Sequence, residues 1–166
     1  MKNCLISNKL QISLNKSIQM EFSSAMIYYA MSSYLRSEGL KHGAELFTKW
    51  ADEEMGHGKK LIEYLDDRNC LAKIEGADSA TNSFKNLEEM LNAGYEHEVL
   101  VSNNYIKISS IALSEDDNTT FHFLSWYVNE QKEEIVKFRD LIDAYNNIGD
   151  IPERKYLMDK VFKSYL

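Results

Sequence analysis

The sequence predicts an all-α protein: four long helices over about residues 7–146 in an up-down-down-up bundle, then a short C-terminal helix over about 151–165. Three observations favour this fold. The 166 residues suffice for a single domain over residues 1–166, and they include one proline and seven glycines. Four long segments repeat apolar residues every three or four positions, between typical helix start and stop residues. One of the connections is much longer than the others.

The first two helices are predicted over residues 7–37 and 41–67. The first stops before Gly39, a residue typical of a helix C-terminus. The connection "SEGLK" is too short to run the length of a bundle, so these two helices must be antiparallel.

The third helix is predicted from Asn86, where "NLEE" supplies a capping asparagine and Glu89 three residues later, to about Leu113. The fourth opens near Asn118 after the turn "SEDDNTT" and ends at Gly149. The roughly 18 residues between the second and third helices can span about 60 Å when extended, and a 27-residue helix is about 40 Å long. This segment can therefore return the chain to the other end of the bundle as a crossover.

The short fifth helix is predicted to be capped by Asp150, with Pro152 in its first turn, where proline is tolerated. Its apolar residues exceed what a lone short helix needs to dock on its own bundle, which favours burial against neighbouring copies of the chain. These residues are Tyr156, Leu157, Val161 and Phe162.

Charge and hydropathy exclude several function classes. The net charge of −7 argues against a nucleic-acid-binding surface, which needs excess lysine and arginine. The sequence has no apolar run long enough for a membrane span and no apolar signal segment at its start, so we expect a cytoplasmic protein. Cys4 and Cys70 match no metal-binding or redox spacing and are expected to be reduced thiols.

The face of each helix that should be apolar is interrupted near its middle by polar side chains. In the second helix this face reads Phe47, Trp50, Glu54, His57, Leu61 and Tyr64. Antiparallel packing brings the interruptions of all four helices to one height in the core: Glu21, Glu54, His57, Glu98, Gln131 and Glu134.

Four buried carboxylates at one height need positive charge among them, because burial and like charges both disfavour ionisation. No lysine or arginine lies on these faces at that height, which points to metal ions, and two divalent ions would balance four carboxylates. Oxygen ligands with one imidazole and no thiolate favour iron(II) or manganese over a structural zinc. The alternative is a polar layer that only fixes the register of a non-catalytic interaction module.

Four stretches resemble the non-haem bacterial ferritins, and the similarity covers nearly the whole chain. They are "MEFSSAMIYYAMS", "EEMGHGKKLIEYL", "YEHEVLVSN" and "FHFLSWYVNEQKEE". The resemblance implies that Glu21, Glu54 and His57 bind a first iron, and that Glu54, as a bridge, binds a second iron with Glu98 and Glu134. Gln131 resembles the family's amide that hydrogen-bonds a bound water or oxygen species.

The resemblance also implies roles for residues around the centre. A third, looser iron position would use Glu53, Glu130 and Glu133 with Glu134 shared, although these side chains alternatively form a solvated charged face. Tyr28 resembles a tyrosine that can donate an electron, although the residues alone indicate a core aromatic. Trp126 is expected to pack, and His42, His97 and His122 are expected at the surface.

The function implied by the resemblance is iron storage with ferroxidase activity, in a shell of 24 subunits whose substrates are Fe²⁺ and O₂ or H₂O₂. The short fifth helix would line its fourfold contacts. No haem is expected, although Met55 aligns with the haem-ligating methionine of bacterioferritins. A rubrerythrin-like peroxidase is the enzymatic alternative. The lack of a second Glu-x-x-His and of rubredoxin-type cysteine pairs argues against it.

Overall fold

A computed structural model describes residues 3–166 as a bundle of four long helices with a short helix at its C-terminal end. The helices are α1 (Asn8–Ser37), α2 (Lys41–Asp67), α3 (Leu87–Ser114), α4 (Asn118–Ile148) and α5 (Arg154–Lys163). The predicted all-α bundle is confirmed, and the ends of the long helices lie within one residue of the prediction.

The helices pack in the predicted directions. α1 packs against α2 and α3, and α3 packs against α4. Contacts between α1 and α3 pair Ser17 with Asn104 and Tyr28 with Glu98, so these two helices are antiparallel. Because α1 is also antiparallel to α2 across a tight turn, α2 and α3 point the same way.

Side-chain caps begin three of the long helices. The Ser7 hydroxyl accepts from Leu10 N at 3.1 Å, and Asn86 Oδ1 accepts from Glu89 N at 2.9 Å. Asp117 caps α4 by accepting from Thr120 N at 2.9 Å. These contacts satisfy backbone N–H groups that have no partner inside the helix, and they fix where each helix starts.

The crossover, residues 68–86, lies along the outside of α1. Four polar side chains of α1, spaced one turn apart, bind crossover backbone groups at 2.6 to 3.1 Å: Gln11, Asn15, Gln19 and Ser23. Near the far end, the ring of Phe84 packs edge-on against Tyr34 with centroids 5.2 Å apart. The crossover is therefore held to the bundle over most of its length.

The expectation of two reduced thiols is wrong, because Cys4 and Cys70 form a disulfide. The α1–α2 hairpin brings the start of α1 beside the end of α2, where Leu5 N donates to Arg68 O at 2.9 Å. The two cysteines are 66 residues apart in sequence, so this proximity exists only in the folded hairpin.

The predicted start of the fifth helix is also wrong. α5 begins at Arg154, and residues 150–153 form a turn after Gly149, whose φ is 74°. The reason is Arg154, whose guanidinium donates to Gly149 O and, at 2.8 Å, to the Tyr145 hydroxyl. These bonds hold the chain in a turn where Asp150 would otherwise cap a helix.

α5 docks on its own bundle more closely than predicted. Met158 and Phe162 are fully buried, and Phe162 packs directly against Gly43 of α2. Asp159 accepts hydrogen bonds from the backbone N–H groups of His42 and Gly43 at 2.9 and 3.1 Å. Of the residues expected to face neighbouring copies, Tyr156 is 62% exposed, whereas Phe162 belongs to the core of its own chain.

The apolar core consists of two clusters with the polar layer between them. The α5-side cluster includes Tyr28, Met31, Phe47, Trp50, Phe138 and Phe162. The disulfide-side cluster includes Leu10, Ile18, Leu61, Cys70, Tyr105 and Tyr127. Within residues 3–166, no helix has the length and apolar character needed to cross a membrane.

Candidate metal centre

The structure places all six predicted layer residues inside the bundle, one or two on each long helix. The exposed fractions are 0% for Glu21, 3% for Glu54, 9% for His57, and 1% for Glu98, Gln131 and Glu134. Each helix has its polar residues where its inward face passes between the two apolar clusters. The layer is therefore a buried feature shared by four helices.

The α1–α2 side of the layer is a compact group of metal-ligand atoms. One donor atom from each of Glu21, Glu54 and His57 lies within 4.8 Å of the others. His57 Nδ1 is 3.2 Å from Glu54 Oε2 and 3.6 Å from Glu21 Oε2. Glu54 and His57 project from the same helical face because they are three residues apart. This group can hold one metal ion.

The His57 ring is fixed by aromatic neighbours from α4. Trp126 and Tyr127 meet it edge-on, with ring centroids 5.2 and 6.4 Å away. The Tyr127 hydroxyl donates to the His57 backbone carbonyl at 2.8 Å. Contacts of this kind hold the imidazole in position to bind a metal ion.

The α3–α4 side contains two carboxylates with different partners. Glu98 accepts hydrogen bonds from the Tyr28 hydroxyl and, at 2.6 Å, from the Gln131 amide. Glu134 Oε1 forms an ion pair with Lys137 Nζ at 2.8 Å. Gln131 therefore orients one carboxylate of the layer, and a lysine neutralises another.

Two buried carboxylate oxygens have no hydrogen-bond partner in the part of the chain that the structure describes, Glu21 Oε2 and Glu134 Oε2. A buried oxygen without a partner costs free energy, so native proteins keep few of them. One of these oxygens lies on each side of the layer. Both are free to bind a cation.

The carboxylates of the layer titrate differently because their surroundings differ. Burial, and then the neighbouring charge of Glu21, raise the pKa of Glu54 well above its usual range. Burial and the charge of Glu134 raise the pKa of Glu98 to about 8. Burial also acts to raise the pKa of Glu21, but the nearby His57 imidazole and the other polar neighbours, including the Tyr105 hydroxyl, outweigh it, and the pKa is lowered. Without a metal ion, Glu98 therefore holds a proton at neutral pH, and the pKa of Glu54 is raised in the same direction.

Lys137 brings a positive charge to the layer that the residues on the inward helix faces did not indicate. This residue does not lie on the inward face of α4, but its long side chain bends in to reach Glu134. The signal was its spacing, because residues three apart on a helix are neighbours. Part of the charge of the layer is thus balanced by the chain itself.

Tyr105 is a second contact that the sequence did not indicate. It lies on the inward face of α3, and its hydroxyl donates to Glu21 Oε1. Its ring stacks on Tyr127, with centroids 4.6 Å apart. A tyrosine seven residues after Glu98 on the same face was the available signal.

The acidic residues of the predicted third iron position lie beside the layer and not in it. Glu53 and Glu130 are half-buried, and Glu133 is exposed. Tyr28 packs among Phe47, Trp50 and Phe138 while its hydroxyl contacts Glu98, so it is both a core aromatic and a neighbour of the centre.

Trp126 and the three histidines outside the layer have mixed outcomes. Trp126 packs against His57 as expected, and Lys60 Nζ lies over the Trp126 ring, 3.3 Å from its centroid. His122 is exposed as expected. His97 is half-buried and lies 2.7 Å from Ser24 Oγ, and His42 pairs with Asp159 at 2.8 Å. These two histidines, expected at the surface, are thus only partly exposed and have polar partners.

The fold and the site define a class: four-helix-bundle proteins with an acidic group inside one subunit that can hold a metal ion. Residues 12–148 match the family model of the ferritin-like domain. The chain is 32% identical to a probable bacterial non-heme ferritin-like protein of Haemophilus influenzae, over 94% of each chain. It is also 32% identical to a bacterial non-heme ferritin of Escherichia coli, over 89% of each chain.

Among solved structures, an open pore ferritin from Archaeoglobus fulgidus is similar with a TM-score of 0.93 and 29% identity, over 97% of this chain and 98% of that one. The chain belongs to the ferritin family.

Proposed function

We propose that this protein stores iron, and that it oxidises Fe²⁺ to Fe³⁺ at a two-iron centre inside each subunit before the ferric iron joins a mineral. The observation that carries the proposal is the buried group of Glu21, Glu54 and His57, whose ligand atoms lie within 4.8 Å of one another. The names of the bacterial relatives support the same function.

Each side of the layer would receive one Fe²⁺. Glu21, Glu54 and His57 would bind the first ion; Glu54, Glu98 and Glu134 would bind the second, with Glu54 as the bridge. Glu134 can do this while Lys137 holds its Oε1, because its Oε2 has no partner among the described residues. Bridging carboxylates place two irons where one oxidant can take an electron from each.

Proton release would accompany binding. Burial and the charge of Glu134 raise the pKa of Glu98 to about 8, so it is protonated at neutral pH before Fe²⁺ arrives and must ionise to bind it. The pKa of Glu54 is raised in the same direction by burial and by Glu21. Gln131, whose amide donates to Glu98, would keep that carboxylate oriented throughout. In line with the resemblance, its amide would also hydrogen-bond a bound water or oxygen species. The Tyr28 hydroxyl, also on Glu98, is our candidate for a local electron donor.

The oxidised product must be able to leave. Carboxylate oxygens exchange more readily than thiolates, which suits a centre whose iron is a substrate passing through. We propose that the chain assembles into a hollow shell of 24 subunits that encloses the mineral. Exposed apolar residues outside the core, including Leu5, Ile12 and Tyr156, support burial between copies.

The test is an anaerobic Fe²⁺ titration followed by air, with the ferric absorbance recorded. We expect two ions bound per subunit, and Glu54→Gln should slow oxidation by about tenfold or more because it removes the bridging ligand. Glu45→Gln, an exposed change on the same helix, is the matched control. Equal rates in the wild type and Glu54→Gln would overturn the assignment of the centre. A folded protein that binds no iron would favour the non-catalytic module.

A further inference from the structure

Lys137 reaches from the side of α4 into the edge of the candidate centre. Its Nζ lies 2.8 Å from Glu134 Oε1 and 5.6 Å from the centroid of the Trp50 ring on α2. The lysine side chain is 27% exposed, whereas the Glu134 side chain is 2% exposed. The ammonium therefore lies between α4 and α2, at the edge of the buried layer.

The charges of three acids of the predicted third iron position act on the same ammonium. Burial acts to lower the pKa of Lys137, but the carboxylates of Glu134, Glu53 and Glu130 outweigh it, and the pKa is raised. Glu130, Glu134 and Lys137 are spaced as neighbours on one face of α4, while Glu53 comes from α2 next to the ligand Glu54. A positive charge thus lies beside Glu134, on the side of α4 that carries Glu130 and faces Trp50 of α2.

We propose that the Lys137 ammonium occupies the accessory cation position beside Glu134, so that the centre of this chain takes two Fe²⁺ ions and excludes a third. The proposal rests on the proposed two-iron function and makes it more specific. The predicted third ion would use Glu134 as a shared ligand together with Glu53, Glu130 and Glu133. Lys137 already pairs with that shared ligand, and its charge repels a second cation at short range.

Lys137 is therefore a specificity-determining residue that acts on the number of ions bound. It would also hold Glu134 Oε1, leaving Oε2 directed to the second iron. The stoichiometry of binding separates this role from a purely structural one, because a structural lysine changes stability without changing the number of ions bound.

The experiment counts Fe²⁺ bound per subunit under anaerobic conditions by isothermal titration calorimetry on the assembled protein. We expect two ions in the wild type, three in Lys137→Met and two in Lys137→Arg, because arginine keeps the charge. Lys132→Met, an exposed lysine on the same helix, should leave the count at two. Adding Glu130→Gln to Lys137→Met should return it to two.

Each outcome decides the matter. Two ions in Lys137→Met, or three in the wild type, overturn the role of Lys137 while leaving the two-iron function standing. No bound Fe²⁺ in the wild type overturns the proposed function and this inference with it. Thermal melting of every variant identifies a misfolded one, and Lys137→Gln then serves as the second charge-removing substitution.

Discussion

The buried acidic layer and the apolar clusters on either side of it lie on the same helices but have opposite effects on stability. In the α5-side cluster, the rings of Tyr28, Phe47, Trp50 and Phe138 pack with centroids 4.9 to 6.3 Å apart. In the layer, carboxylates with raised pKa values sit beside oxygens without partners. The clusters stabilise the bundle, and the layer costs stability to keep ligand atoms available.

The largest expected difference is in pH dependence of the iron-free protein. Burial and the charge of Glu134 raise the pKa of Glu98 from 4.5 to about 8. Its contribution to the free energy of unfolding is therefore complete below pH 4.5 and is lost as the pH rises through about 8. Glu54, Glu134 and His57 also have raised pKa values and act in the same direction. We expect a loss of about 4 kcal/mol between pH 5 and pH 8.

Denaturant unfolding of iron-free protein across that pH range provides the measurement. The lowered pKa of Glu21 has the opposite sign, but its effect falls below pH 4.5, outside this window. Fe²⁺ added anaerobically should restore stability at pH 8, since binding favours the ionised carboxylates. Constant or rising stability of the iron-free protein would show that the layer is not strained by its own charge.

The next effect concerns the Cys4–Cys70 disulfide, which lies in the disulfide-side cluster and has no counterpart in the α5-side cluster. Cys4→Ser should lower the free energy of unfolding by about 2–4 kcal/mol, because the bond constrains a long loop in the unfolded chain. A thiol reductant should lower the unfolding midpoint of the wild type and leave that of Cys4→Ser unchanged. If two free thiols are titrated in the protein purified without reductant, the pairing is absent.

A smaller effect tests how tightly the apolar side is packed. A Cβ at Gly94 would lie 2.1 Å from Cε1 of the fully buried Phe138, so Gly94→Ala should destabilise the protein by about 1–3 kcal/mol. At Gly56 on α2 a Cβ meets nothing within 4 Å, and Gly56→Ala should stabilise the helix by up to about 1 kcal/mol. Thermal melting of the pair measures both, and equal shifts would contradict close α3–α4 packing.

The smallest expected effect is an increase in stability, whereas most substitutions in a protein core lower it. Glu54→Gln should stabilise the iron-free protein at pH 8 by about 1–2 kcal/mol, because a neutral amide replaces a carboxyl whose ionised form is disfavoured by burial and by Glu21. The same variant should lose the stabilisation that Fe²⁺ gives the wild type. Destabilisation of the iron-free variant would indicate that Glu54 serves the fold and not the metal.

Much of the centre could be predicted because its residues lie on regular helices. Once Phe47, Trp50, Leu61 and Tyr64 define the inward face of α2, the position of Glu54 and His57 on that face follows from helix geometry alone. The contacts of Lys137 and Tyr105 could not be predicted as readily. A long or aromatic side chain reaches across to another helix, and its endpoint depends on the rotamer and the packing around it.

The sequence alone determined the four long helices, their directions and the height at which acidic residues interrupt the core, because periodicity, caps and connection lengths are local properties of the chain. The tertiary structure decided the Cys4–Cys70 disulfide, the start of α5 at Arg154 and the reach of Lys137 to Glu134. Each of these depends on which distant residues become neighbours. That is set by the packing of whole helices and is not written in any short stretch of sequence.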